Sequence, residues 1–228
     1  VRINHLAELK PNLPMIKKIL SIGIPNGLES GMFQFGKLAL QSLVSSLGTA
    51  AIASYAVASN LVTLLYLPGN AIGLGLITIV GQCVGAGEKK QAEKYTRFLV
   101  MANYGILLLL CGIMVVFSDQ LVSVYNLSGE AAEISAQMVV AHSYAMIVWP
   151  LAFTIPYALR ASMDAKFTVA VSIFSMWLFR IAFVYFFVRV MNTGVMGVWY
   201  GMFIDWVFRA VLFSWRFRGI EKRAVSVS

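Results

Sequence analysis

Charged residues are scarce in this sequence: they make up 12% of the chain, whereas 59% of the residues are hydrophobic. The mean hydropathy is +0.78. A soluble domain of this length carries about 25% charged and about 45–50% apolar residues. An apolar excess of this size cannot be buried in one soluble core. The scarcity of charge therefore excludes a soluble globular protein and predicts an integral membrane protein.

Cysteine and histidine are rare as well, with two residues of each. Cys83 and Cys111 cannot form a disulfide framework, and their spacing is not that of a metal site. His5 and His142 are far apart in sequence and have no accompanying ligand residues. No catalytic motif such as GxSxG or HExxH is present. These absences predict no metal and no cofactor, and they make an enzyme the least supported class.

Six apolar stretches are long enough to cross a bilayer, which takes about 20 residues per helix. None of them shows the alternating pattern of a membrane β-strand. The sequence therefore predicts an all-α polytopic protein with six transmembrane helices, at about 19–47, 52–81, 95–117, 134–159, 167–190 and 195–215. Pro68 and Gly69 predict a kink or an unwound turn in the second helix, and Pro150 and Pro156 predict a break in the fourth.

The basic residues indicate how these helices are oriented. Fourteen of the 18 lie in the N-terminal segment, in the tail and in the loops after the second and fourth spans. By the positive-inside rule, both ends of the chain are cytoplasmic. We expect a cytoplasmic linker over 1–18, a membrane domain over 19–217 and a basic cytoplasmic tail over 218–228. The net charge of +8 then faces lipid headgroups, and nucleic acid is not a partner.

Ionisable residues also occur at membrane depth, where each costs about 2.5–3.5 kcal/mol to insert. Asp205 and Arg209 are four residues apart on one helix face, so they can pair directly. Arg180 joins them if the last two helices are neighbours. We interpret these three residues as a structural ion network that holds the helices together, and a role in transport is the alternative.

Glu29 and Lys37 lie in the first predicted helix and are too far apart to pair with each other. Their spacing of eight residues is about 12 Å along the helix axis and about 80° around it. Glu29 therefore has no evident partner, and a half-desolvated carboxyl group can exchange a proton or a cation for a substrate. A neutral or paired glutamate that only fixes helix packing is the alternative.

Tryptophan and glycine residues give weaker indications. The five tryptophans mostly fall in or near predicted span ends, where amphipathic rings prefer to lie. His142 is expected to form a hydrogen bond between helices. Glycines that recur every four residues predict close helix packing. They are Gly23, Gly27 and Gly31, then Gly69 and Gly73, Gly81 and Gly85, and Gly197 and Gly201.

Five stretches carry a resemblance to a known family. They are GIPNGLES in the first span, LPGNAIGLGLITIVGQCVGAGEKKQAEK across the second, LRASMDAK after the fourth, MWLFRI in the fifth and GVMGVWYGMFIDWVFR into the sixth. In this order they resemble the C-terminal half of the multidrug and toxic compound extrusion (MATE) family. The resemblance covers residues from about 15 to 228.

The resemblance implies a two-lobe exporter with twelve helices, of which this chain is the C-terminal six-helix lobe and the N-terminal six-helix lobe is the partner. Such a plasma-membrane transporter exports small organic, often cationic compounds in exchange for Na⁺ or H⁺. In one branch of the family, a glutamate in the first helix of this lobe contributes to the cation or substrate site, and Glu29 is its candidate here.

Two positions depart from that branch of the family. Phe33 stands where the better-described members have their acid, and the fourth span has His142 and Tyr144 in the region where that branch has an aspartate. The candidate cation- and substrate-binding residues are therefore Glu29, Phe33, Gln34, Lys37, His142 and Tyr144.

Two alternatives to a cation-coupled exporter stay open. One is a lipid-linked saccharide flippase of the same superfamily, for which Lys37, Arg180 and Arg209 are the only candidates to meet a pyrophosphate group. The other is a six-span membrane scaffold that transports nothing.

Overall fold

The structure, a computed structural model, describes residues 13–127, 129–162 and 164–225. At Lys18, Ile22, Pro25, Asn26 and Glu29, and from residue 219 onward, it describes the backbone without the side chain. Most of the predicted linker (1–18) and the last three residues of the predicted tail therefore lie outside the described residues.

Helices account for nearly all of the described chain, and those residues contain no β-strand. A helix satisfies its backbone hydrogen bonds internally, which is what long apolar runs in a bilayer require. The order is α1 (Leu13–Ser45), α2 (Thr49–Gly85), α3 (Lys89–Val116), α4 (Ser118–Ser123), α5 (Gly129–Ala145), α6 (Pro150–Ala161), α7 (Ala165–Val190) and α8 (Met196–Val225). The predicted all-α membrane fold is confirmed.

The membrane-crossing helices occur where the sequence predicts spans. Helices α2, α3, α7 and α8 are long and apolar enough to cross a membrane, and α5 with α6 adds a fifth if the bent pair counts as one span. The first predicted span falls on α1, which is not among these helices in the described chain. Polar residues, including Asn26, Glu29, Gln34 and Lys37, interrupt its apolar run and lower its hydropathy.

The two proline predictions have different outcomes. The break in the fourth span is present: α5 and α6 are bent by 66°, and α6 begins with a π-helical turn at Pro150–Thr154. Pro150 has no backbone N–H to continue the ladder. Of the kink or unwound turn predicted at Pro68, the unwound turn is absent, because α2 is helical throughout Thr49–Gly85, and the kink stays a prediction. Neighbouring helices let a membrane helix tolerate proline, and Trp149 packs against Gly69 there.

Helix α7 is α-helical only in its first part. It is α-helical over Ala165–Ser175 and then π-helical over Met176–Phe183 and again over Phe186–Val190. A π-helix is rare and often marks a functional part of a helix. The first π-helical stretch carries Arg180, one of the predicted interior charges.

The glycine-rich motif VGAGEKK ends one helix and begins the next. Gly87 has a φ of +79°, which a residue with a side chain rarely adopts. The N–H of Glu88 donates to the carbonyl of Cys83 at 2.8 Å, and the N–H of Gly87 donates to the carbonyl of Val84 at 3.1 Å. This is the Schellman arrangement that terminates helices. The glycines therefore belong to the turn that ends α2 and leads into α3.

Glycines permit close contacts at only some of the predicted positions. A Cβ at Gly69 would collide with the ring of Trp149, and one at Gly201 would lie 3.0 Å from the backbone oxygen of Phe179. Gly73 and Gly197 are similarly crowded. The prediction of close packing is wrong within the described chain for the other glycines, because no helix of this chain covers that side of them. These are Gly23, Gly27, Gly31, Gly81 and Gly85.

We predict opposite effects for two alanine substitutions in the middle of α2. Gly73→Ala places a methyl group against the ring of Tyr157, and overpacking of this kind costs about 1–3 kcal/mol. Gly75→Ala meets no atom within 4 Å and gains helix propensity. Thermal unfolding of the detergent-solubilised protein should show a lower Tm for Gly73→Ala and an unchanged or higher Tm for Gly75→Ala. Equal Tm values for the two variants would contradict the packing described here.

Candidate functional site

A buried ion pair occupies the interior of the bundle. Nε of Arg209 donates to Oδ1 of Asp205 at 2.9 Å, and both side chains are almost fully buried. The spacing of four residues on α8 places the two side chains on one face. The same guanidinium donates through NH2 to the backbone oxygen of Ser172 in α7 at 3.0 Å.

Two aromatic rings also contact the guanidinium of Arg209. Its guanidinium lies 5.1 Å from the ring centroid of Phe33 in α1 and 5.5 Å from that of Phe153 in α6. A cation over an aromatic face is attracted by the ring quadrupole, more strongly when it is desolvated. One side chain therefore ties α8 to α1, α6 and α7.

Arg180 approaches this pair without joining it by an ion pair. Its guanidinium lies 5.7 Å from the ring centroid of Phe33. It donates through NH2 to Sδ of Met202 at 3.5 Å, and its buried Nε has no hydrogen-bond partner among the described residues. Thioether sulfur is a weak acceptor. Both arginines thus contact the ring of Phe33. Of the two, only Arg209 is hydrogen-bonded to the carboxylate of Asp205.

An aromatic cluster surrounds His142 next to this charged group. Nε2 of His142 lies 2.6 Å from the hydroxyl of Tyr66, which is a hydrogen bond between α5 and α2. The rings of Trp199 and Trp206 on α8 each lie 5.1 Å from the His142 ring. Phe153 connects the two groups, since its ring lies 5.8 Å from that of Trp206 and also contacts Arg209.

The interior contains several polar atoms that have no hydrogen-bond partner in the described chain. They are His142 Nδ1, Trp206 Nε1, Asp205 Oδ2 and Arg180 Nε. Buried polar atoms of this kind are normally hydrogen-bonded to protein or to water. Such atoms can interact with a water molecule, an ion or a polar group of a ligand. The aromatic faces around them suit organic and cationic groups.

The predicted site residues are only partly brought together. Phe33 and His142 lie in the interior, whereas Gln34 and Lys37 are exposed on α1. Tyr144 is 62% exposed and points away from the cluster that contains His142. The side chain of Glu29 lies outside what the structure describes. Its backbone position is one helical turn before Phe33, on the same face of α1.

Sequence reasoning missed Tyr66, and it favoured an interfacial position for the tryptophans over a buried one. Trp149, Trp199 and Trp206 are buried in the bundle, and only Trp177 and Trp215 are exposed. The signal available in the sequence was the helical spacing of Trp199, Met202, Trp206, Arg209 and Phe213, all of which lie on one buried face of α8.

Comparison with known proteins decides the family. The sequence profile described as MatE matches residues 25–186. The chain belongs to the MatE family. Its members are membrane transporters and not enzymes, as the sequence analysis expects.

Curated relatives of the MatE chain carry multidrug names. It is 27% identical over 221 residues to the "Probable multidrug resistance protein NorM" of Oceanobacillus iheyensis, covering 95% of this chain and 48% of that protein. It is 26% identical to the NorM protein of Bacillus subtilis, covering 91% of this chain and 46% of the relative. The chain therefore spans about half the length of the curated relatives it matches.

Solved structures show the same fold. A crystal structure titled as MATE in the bent conformation superposes with a TM-score of 0.85 at 18% identity, covering 97% of this chain and 50% of that one. A transporter from Pyrococcus furiosus, whose title states a reversed polarity of the binding pocket, gives a TM-score of 0.81 at 19% identity, covering 94% and 48%.

We predict that loss of the Tyr66 hydroxyl destabilises the fold. Tyr66→Phe leaves Nε2 of buried His142 without its partner, which costs about 1–3 kcal/mol. Tyr144→Phe is the matched control, because Tyr144 lies two residues from His142 and is largely exposed. Thermal unfolding should give a lower Tm for Tyr66→Phe and no change for Tyr144→Phe. A Tyr66→Phe protein as stable as the wild type would show that the bond is not structural.

We also predict that the two aspartate–arginine pairs of α8 differ in strength. Asp205→Asn leaves a guanidinium buried without its counterion and should cost about 3–5 kcal/mol. Asp164→Asn breaks a pair with Arg216 that is partly exposed, and such a pair contributes much less to stability than a buried one.

The yield of monodisperse protein and its Tm are the measurements for both variants. The double variant Asp205→Leu with Arg209→Met should recover much of the loss, because it removes both charges together. If that double variant is no more stable than Asp205→Asn, the loss does not arise from the unpaired guanidinium.

Proposed function

We propose that this chain is the C-terminal lobe of an exporter that moves organic, often cationic compounds out of the cell in exchange for Na⁺ or H⁺. The observation that carries the proposal is its membership of the MatE family over half the length of relatives that bear multidrug resistance names. A second six-helix lobe is the required partner, and the substrate would bind between the two lobes.

The interior of the bundle supports this assignment by its chemistry. Aromatic rings and ionisable side chains meet at Phe33 and Phe153, where α1, α6, α7 and α8 converge. Ligand sites in membrane transporters lie near the bilayer midplane at the boundary between structural repeats. Helix α1 carries the exposed residues Gln34 and Lys37 next to this interior, and so presents polar groups to whatever lies beside it.

Coupling would arise from competition at Glu29. A carboxylate that binds Na⁺ or a proton in one state and a substrate cation in the other exchanges the two across the membrane. A ligand shifts such an equilibrium only by its difference in affinity for the two states. Glu29 lies one helical turn before Phe33 on α1, and the ring of Phe33 contacts both Arg180 and Arg209.

The basic residues support a location in the plasma membrane with both ends of this lobe in the cytoplasm. Lys89, Lys90 and Lys94 begin α3, and Arg216 and Arg218 lie towards the end of α8. Because cytoplasmic loops carry an excess of Lys and Arg, we assign these helix ends to the cytoplasmic side of the membrane.

A second candidate function is a flippase for a lipid-linked saccharide. The observation that favours it is Arg180, a guanidinium that no described carboxylate pairs with. Together with Arg209 it would meet a pyrophosphate group. Transport of an anionic lipid-linked sugar by reconstituted vesicles, in the absence of dye efflux, would select this candidate.

We predict that Glu29→Gln abolishes ion-coupled efflux and leaves the protein in the membrane. The substitution removes the charge that a cation or a substrate would bind, with little change in shape. The measurement is fluorescent-dye efflux from vesicles that contain the complete transporter, run separately with a Na⁺ gradient and a proton gradient. We expect at least a tenfold loss of rate, equivalent to about 1.4 kcal/mol or more.

Glu133→Gln is the matched control, since Glu133 is exposed in the first turns of α5. It should transport at the wild-type rate. Unchanged efflux by Glu29→Gln under the gradient that drives the wild type would remove Glu29 from the mechanism.

A further inference from the structure

A groove of about 510 Å³ lies at the basic end of the bundle, apart from the interior site. Helices α3, α6 and α8 form its walls. It contains none of the residues of the His142 cluster or of the Arg209 ion pair, so the proposed transport mechanism does not use it.

The floor and walls of the groove are apolar. Val100 and Met101 of α3, Leu151 and Ile155 of α6, and Phe217 of α8 line it. Met101 is largely exposed, as are Phe98 on α3 and Trp215 on α8 beside the groove. Tyr95 is exposed on the same part of α3. Tyrosine and tryptophan concentrate where a bilayer meets water. This distribution fits a groove that opens towards lipid at the membrane surface.

Two arginines are among the lining residues of this mainly apolar groove. Arg97 lies two turns into α3, and Arg218 lies near the end of the membrane-crossing part of α8. Arg97 also contacts Oε1 of Glu93 at 3.0 Å, with a largely exposed side chain. Because an exposed pair of this kind contributes little energy, the guanidinium can serve a second anion. Guanidinium groups bind phosphate oxygens in a bidentate manner.

Residues with hydroxyl groups are also present in the lining of the groove. The hydroxyl of Thr96 donates to the carbonyl of Ala92 at 2.8 Å and keeps its acceptor capacity. Tyr104 also lines the groove. The hydroxyl of Ser214 is buried and has no hydrogen-bond partner among the described residues. A serine inside a helix usually finds a partner in the preceding turn. The Ser214 hydroxyl is therefore an unusual buried polar group beside the groove.

We propose that this groove binds an anionic phospholipid, with the phosphate group between Arg97 and Arg218 and one acyl chain along Val100, Leu151 and Ile155. The lining combines two guanidinium groups with mainly apolar side chains further along the helices, which suits the charged headgroup and the acyl chain of a phospholipid. Basic pockets between membrane helices bind lipid headgroups in this way. A zwitterionic lipid has the same chain and carries no net charge, so it binds less tightly.

The test uses the complete transporter purified in detergent and native mass spectrometry to count retained lipids. Wild-type protein should retain phosphatidylglycerol in preference to phosphatidylcholine with matched acyl chains. Arg97→Gln combined with Arg218→Gln should lower the affinity for phosphatidylglycerol roughly tenfold or more, since each basic group near a lipid surface contributes about a factor of five.

The matched control removes two charges from the same end of the bundle. Lys89→Gln with Lys90→Gln lies in the first turn of α3, outside the groove, and should leave retention of phosphatidylglycerol within about twofold. Thermal unfolding of each variant without lipid verifies that it is folded. A third variant, Ser214→Phe, fills the groove without changing its charge and should lower the retention of either lipid.

Several outcomes would overturn the proposal. One is equal retention of the two lipids by the wild type, and another is equal loss of phosphatidylglycerol in the lysine and arginine variants. Displacement of phosphatidylglycerol by millimolar inorganic phosphate would assign the arginines to free phosphate. Coverage of the groove by the other lobe in the intact protein would also exclude a lipid there. None of these results depends on efflux, so this proposal can fail while the proposed transport function stands.

Discussion

The fold depends on one arginine that is buried with its counterion. A guanidinium at membrane depth needs a counterion for its charge and hydrogen-bond acceptors for its N–H groups. Without them, insertion of the helix that carries it is strongly unfavourable. Arg209 meets this condition with contributions from four helices: the carboxylate of Asp205, the carbonyl of Ser172 and the rings of Phe33 and Phe153. Asp205 lies on the same helix as Arg209, whereas Ser172, Phe33 and Phe153 contact the guanidinium only when α1, α6 and α7 have packed against α8.

The interior therefore has two parts with different physical character. Around Arg209 the contacts are electrostatic and directional, whereas around His142 they are mainly between aromatic rings, with a hydrogen bond between His142 and Tyr66. Phe153 belongs to both parts. The charged group of this MatE lobe therefore lies next to its aromatic cluster, and Phe153 contacts both.

Sequence alone predicted the features that follow from membrane thickness and helix geometry. The apolar runs located the helices because a bilayer requires about 20 such residues, and the spacing of four residues predicted that Asp205 faces Arg209. The bend at Pro150 followed from the missing N–H.

Features that depend on contacts between helices were not predictable in the same way. The partner of His142 is Tyr66, which is 76 residues earlier in the chain. No local pattern states which face of α2 meets α5. The same applies to Trp149, Trp199 and Trp206, whose rings are equally suited to an interface with water and to a buried cluster. Glycine spacing was ambiguous for the same reason: Gly73 lies against Tyr157, and Gly81 on the same helix meets nothing.

The π-helical stretch of α7 has a mechanical consequence for Arg180. A π turn holds one residue more than an α turn, and one residue corresponds to roughly 100° of rotation about the axis. If the part of the Met176–Phe183 stretch before Arg180 tightened to α-helix, the rest of α7, including Arg180, would rotate about the helix axis by that amount. Arg180 would then lose its contact with the ring of Phe33, whereas Arg209, which is on α8, would keep its contact.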